Sequence, residues 1–202
     1  MKPYAWGVCL AAVVASLSAV AIGHAQAPPT KDMAPAAQFT PDGKLQFPKD
    51  YRTWIYLSTG MDMAYVENDG MANMHMFDNV FVDRASYDAF LETGHWPEGT
   101  VMMLEVRKGE GNGSINKKGQ YQVGKLGAEA HVKDKRFPSG WAFFPFGGGT
   151  GPSTALPQTS QCNSCHEQHA AVDTTFVQFY PTLLPVAQAK KTLSPAYLAE
   201  QK

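Results

Sequence analysis

Cysteine is nearly missing from this 202-residue chain: there are three, Cys9, Cys162 and Cys165. Cys9 lies in an apolar run near the start, with no lipobox of small residues before it, so an exported chain would keep only the other two. A disulfide across so short a loop staples almost nothing, which excludes a disulfide-built scaffold. Methionine is missing after Met103, so none follows the cysteine pair. No apolar run reaches the roughly 20 residues of a membrane-spanning helix. Excess charge is missing too: 17 basic side chains stand against 18 acidic ones, a balance without a nucleic-acid or membrane-surface signature. No internal repeat is found.

The first residues read as a targeting segment. Lys2 precedes an apolar run from Val8 to Ile22, small residues follow, and Gln26-Ala27-Pro28-Pro29 ends the run abruptly. This is the pattern of a cleaved secretory signal peptide, residues 1–25. A cut after Ala25 is expected, because one after Ala27 would leave Pro28 beside the break. Losing Lys2 leaves sixteen basic against eighteen acidic side chains, a formal charge of −2.

The mature part is long enough for one domain with its own core. Residues 26–44 are rich in Ala, Pro and Gln without periodicity and predict a flexible lead-in. A folded domain is expected over 45–185 and a C-terminal tail over 186–202. Asp50 is available to cap a short helix at Tyr51. Val80-Phe81-Val82 reads as β, and Asp83 or Ser86 caps a helix carrying Tyr87, Phe90 and Leu91 that Thr93-Gly94 ends. Thr100 to Arg107 reads as a strand whose partner across the loop 108–119 is Tyr121 to Val123. Ala128 to Lys133 and Trp141 to Phe146 give two further strands. The class is α+β: an antiparallel β-sheet with packed helices, around the site that the late cysteine pair marks.

That last element rests on Cys162-Asn163-Ser164-Cys165-His166. In a C-x-x-C-H sequence the two thiols add to the haem vinyl groups and the adjacent imidazole meets the iron. A redox dithiol, half of a zinc site and chance coincidence are the competing readings. The first wants an early βαβ context and the second a further ligand pair, and neither is present. The expected cofactor is therefore one haem c, held through Cys162 and Cys165 with His166 as metal ligand. His169 is a candidate neighbour of a haem propionate, and His75, His95 and His131 are distant candidates for a second axial ligand. Met61, Met63, Met71, Met74 and Met76 form a cluster suited to lining an apolar pocket, or to supplying a distal methionine in an electron-transfer cytochrome. An iron with one strong protein ligand has an open face, which favours small-ligand binding or catalysis over simple relay.

Several patches in one order carry a more specific signal. Pro48-Lys49-Asp50-Tyr51-Arg52 with Trp54, Val82-Asp83 with Ser86-Tyr87, and Asp134 with Arg136-Phe137-Pro138 precede Gly140-Trp141-Ala142-Phe143-Phe144. The cysteine motif and Asp173-Thr174-Thr175-Phe176-Val177-Gln178-Phe179-Tyr180-Pro181 follow. Together, over roughly residues 45 to 185, they resemble the cytochrome P-460 family. The resemblance implies a periplasmic homodimer, a five-coordinate iron and an enclosed pocket. It also implies a small nitrogen ligand, nitric oxide or hydroxylamine, and a redox partner protein is expected beside it.

In the hydroxylamine-oxidising branch a lysine bonds the haem ring; in the cytochrome c′-beta branch it does not. The matching position here is Leu104, which cannot make that bond, so binding of nitric oxide or a related species is the leading expectation. The family's pocket carboxylate, the proton acceptor in the enzyme reading, matches Glu129. The family's pocket arginine falls on Asp78.

Overall fold

The computed structural model describes residues 36–65 and 74–201. Five strands form one antiparallel sheet in plain sequential order. They are β1 (Ile55–Met61), β2 (Met76–Val82), β3 (Val101–Glu110), β4 (Tyr121–Lys133) and β5 (Trp141–Gly147). Helix α1 (Arg84–Thr93) joins β2 to β3, and α2 (Gln161–His169), α3 (Leu184–Lys190) and α4 (Pro195–Glu200) follow the sheet. The expected α+β class with an antiparallel sheet is what the chain adopts.

Side chains alternate between the sheet's two faces with the strand period of two. Val101, Met103, Ala130, Val132, Ala142 and Phe144 point to one side and are buried there with Leu45, Phe47, Tyr51 and Trp54. Met102, from the opposite face, joins Phe90, Trp96, Val172, Val177 and Leu183 under the helices. Burying each such large apolar side chain contributes about 1.5–3 kcal/mol, so β3, covered on both faces, is the spine of the molecule. Inside the first core Glu105 is almost wholly buried. Arg52 donates to both its oxygens at 2.9 and 2.7 Å, Arg107 donates at 3.2 Å, and the Tyr51 hydroxyl adds a further bond.

Local signals explain α1. The Asp83 carboxylate accepts from Ser86 N at 2.9 Å and from Val101 N at 3.2 Å, capping the helix and tying it to β3. Gly94 ends it at φ +76°, the left-handed cap that glycine adopts without strain. Asp50 precedes the 3-10 turn Tyr51–Thr53, but its side chain makes no capping bond.

The structure departs from the sequence reading in four places. Tyr121–Val123 and Ala128–Lys133 are not two strands but the ends of one, β4, which runs through Gly124 and Gly127 because irregularities opposite Arg107 absorb the register change. Strand β1 escapes the sequence reading, its second half being Ser58-Thr59-Gly60. Within the lead-in, residues 36–44 are packed: Phe39 pairs with Leu45 in a β-bridge, its ring meets Phe144 edge-on at 5.9 Å, and Arg136 covers it. The tail boundary at 185/186 cuts through α3, whose Ala187 is fully buried. Ser194 then donates twice to the segment after α2, from its N to Ala171 O and from its hydroxyl to Ala170 O, both at 2.7 Å.

The signal-peptide residues 1–25, the lead-in up to residue 35, and Met71 lie outside the described residues. Among the described residues, no helix is long and apolar enough to cross a membrane.

Candidate functional site

Helix α2 carries Cys162, Cys165 and His166 at positions i, i+3 and i+4, which places all three side chains on one helical face. That face lines a cavity of about 770 Å³ whose other wall is the sheet. Asn163, on the opposite side of the helix, is buried and donates to Pro157 O and Ser160 Oγ, fixing the helix start. The two cysteines are free thiols. Burial pushes both upward in pKa, the reverse of what an activated redox dithiol requires. Among the described residues no group of three or more His, Cys, Asp or Glu side chains gathers to hold a bare metal ion, so the zinc reading finds no partners.

His166 has a defined tautomer. Its Nδ1 lies 2.7 Å from the Thr174 carbonyl, an oxygen that can only accept, so Nδ1 carries the proton and Nε2 keeps its lone pair. Burial lowers its pKa, against the opposing pull of that carbonyl, and the ring is held neutral. A neutral imidazole, oriented by a carbonyl at one nitrogen and free at the other, is what a metal-ligating histidine needs. Phe176, 4.2 Å away between ring centroids, and Phe143, at 4.7 Å, hold the ring from two sides. Two thiols and one such imidazole on one face of a largely apolar cavity fit a covalently held haem.

The distant histidines fall elsewhere. His75 sits beside Asp62 and His95 beside Asp173. His169 is exposed and bonds Glu200 of α4, which gives it a helix-to-helix role. His131 does line the cavity, stacked on Phe143 at 4.0 Å, and its pKa is driven well down by burial and then by His166. Its ring touches that of His166 at 5.0 Å, edge to face. A metal between two imidazoles takes bonds of about 2 Å on each side, so rings in direct contact cannot flank one iron. Its Nε2 is buried without a hydrogen-bond partner among the described residues.

All five strands reach the sheet wall, and its middle is built from every second residue of β2, β3 and β4. Asp78 and Val80 of β2, Met102, Leu104 and Val106 of β3, and Glu129 of β4 all face the cavity. Leu104 is paired with Val80 on one side and Glu129 on the other. Met63 and Met76 of the methionine cluster line the same space, while Met61 and Met74 are exposed. No lysine is among the described lining residues, and Lys108, the nearest in sequence to Leu104, is a surface residue near Glu110.

Glu129 is not on a solvated strand face. Burial first, and the Asp78 carboxylate second, raise its pKa. Asp78 is raised by burial and by Asp62. Tyr180, fully buried at the cavity, has its hydroxyl pushed up by burial. Sequence reasoning missed Phe143, Tyr180 and above all the Thr174 carbonyl; β5 is apolar on both faces, so its pattern does not single out the first, and nothing in the sequence marks the carbonyl.

A family model described as Cytochrome P460 matches residues 48–177. No curated protein matches the chain.

Proposed function

The chain belongs to the cytochrome P460 family of haem-binding cytochromes, and on that premise we propose that it binds nitric oxide or a related small nitrogen species. In this reading one haem c is held through Cys162 and Cys165, and His166 is the axial ligand. Haem, when bound, supplies an iron whose face away from the protein ligand takes neutral diatomic molecules. The chain's own contribution is the wall around that face. Leu104, Val80, Val106, Met76 and Met102 keep it apolar. Burial favours the uncharged, protonated forms of Glu129 and Asp78, so the lining discriminates in favour of a neutral guest.

The observation that carries this reading is Leu104 in the cavity wall, with no lysine among the described residues lining it. An alkyl side chain at the position of the family's cross-linking lysine leaves the haem ring unmodified, the cytochrome c′-beta condition. Anaerobic titration of the ferrous protein with nitric oxide tests it: a saturable change at one equivalent per chain is expected, and no change at excess ligand would contradict it.

The second reading is hydroxylamine oxidation with Glu129 as proton acceptor. It is favoured by the partial burial of that carboxylate in the cavity, where a raised pKa suits a general base. It needs a haem cross-link from some lysine, so a denaturing digest in which the haem peptide carries only the Cys162 to Cys165 segment removes it. Export to the periplasm, pairing as a homodimer and exchange of electrons with a redox partner protein complete the proposal.

A further inference from the structure

The segment after α2 is strained in an unusual way. Val172 to Thr175 is a tight turn, closed by Thr175 N donating to Val172 O at 2.7 Å and Val172 N to Thr175 O at 3.3 Å. Its two central residues, Asp173 and Thr174, both lie in the left-handed region, at φ 47° and 57°. This is the backbone pattern of a type I′ turn, where Asn-Gly is the comfortable pair. A β-branched threonine there is an outlier. The Thr174 hydroxyl is also buried without a partner among the described residues, so the side chain does not explain the strain. What the turn presents is the Thr174 carbonyl, 2.7 Å from His166 Nδ1.

The conformation is held from outside. One Asp173 oxygen accepts from Trp96 N at 3.0 Å and from Lys133 Nζ at 3.3 Å, and the other meets His95 Nδ1 at 3.1 Å. Lys133 Nζ also donates to Trp96 O at 2.7 Å, so the same ammonium fixes both ends of the anchor. Trp96 Nε1 donates to Thr175 Oγ1 at 2.8 Å, and that hydroxyl donates to Val172 O at 2.7 Å. Three donors from the α1–β3 connection and β4 therefore converge on one carboxylate whose neighbour's carbonyl orients the imidazole.

We infer that Asp173 is a positioning residue for His166: by anchoring the strained turn it sets the direction and strength of the hydrogen bond that the imidazole donates. This rests on the reading of His166 as the axial ligand. A firmly held carbonyl gives the ring partial imidazolate character and makes Nε2 a better donor to iron. A loosened one weakens that donation, which lowers the iron–histidine stretching frequency and raises the reduction potential.

The test uses the haem-loaded protein and its Asp173→Ala and Asp173→Asn variants, read by resonance Raman of the ferrous form and by redox titration. Asp173→Ala is expected to shift the iron–histidine band down and the potential up. Asp173→Asn, which keeps an acceptor for Trp96 N, should recover part of both shifts. Should Asp173→Ala fail to load haem, Lys133→Met and His95→Ala each remove one donor to the same carboxylate and should give smaller shifts in the same direction. A band and potential unmoved in the variants that fold, even with lowered thermal stability, would overturn the positioning role. Absence of any iron–histidine band in the unaltered protein would overturn the ligand reading, and the positioning role with it.

Discussion

Leu104 and Glu129 are directly paired across β3 and β4, and both side chains face the cavity. An inert alkyl group and a half-buried carboxylate thus stand side by side on the wall opposite α2. Exchanging the alkyl group for an amine should recreate the family's other arrangement. In Leu104→Lys, part of the haem should resist release from the Cys162 to Cys165 peptide alone, and a digest should yield a haem peptide that also contains residue 104. A digest identical to that of the unaltered protein would count against the placement of Leu104 at the ring.

Glu129 and Asp78 make stability depend on pH. Both have folded-state values above the usual carboxylate range, so the folded chain holds protons that the unfolded chain has lost. Stability is therefore lost as pH rises from the ordinary carboxylate range through the raised values. Thermal unfolding across that window should show a falling melting temperature, and Glu129→Gln should fall less steeply and be the more stable at neutral pH. Parallel curves for the two proteins would contradict this.

Glu105 titrates with the opposite sign. Burial alone would raise it, but hydrogen bonds from Tyr51, Arg52 and Arg107 outweigh burial and hold it below its ordinary value. Its contribution is present above the unfolded-state value and is lost as pH falls through the folded one. Glu105→Gln should cost about 2–3 kcal/mol at neutral pH, because two arginines lose a buried partner. Arg52→Ala should cost nearer 1 kcal/mol, since the Arg52 side chain is 57% exposed. Denaturant unfolding measures both.

On the proposed reading the methionines of the cavity serve as wall and not as ligand. Met63→Leu and Met76→Leu, singly and together, should leave the absorption spectrum of the haem-loaded protein unchanged. Loss of a low-spin signature in either variant would instead support the electron-transfer reading.

The site's chemistry was legible where it depends on local spacing. The C-x-x-C-H run fixes which side chains share a face of α2, and the alternation of β3 and β4 puts Leu104 and Glu129 on one wall. What depends on long-range closure was not legible. Strand β1 has little apolar alternation and exists because β2 offers it an edge. The helices after residue 183 look like a tail until Ala187 is seen to be buried and Ser194 to bond the segment after α2. The Thr174 carbonyl is invisible in sequence because it is backbone, and its position depends on donors some forty to eighty residues away.

The open iron face is the claim on which the rest depends, and the absorption spectrum of the reduced protein before any ligand is added tests it most directly. A five-coordinate, high-spin spectrum with an unshifted Soret band, changing on addition of nitric oxide, is the predicted result. A six-coordinate, low-spin spectrum in the ligand-free protein would contradict it.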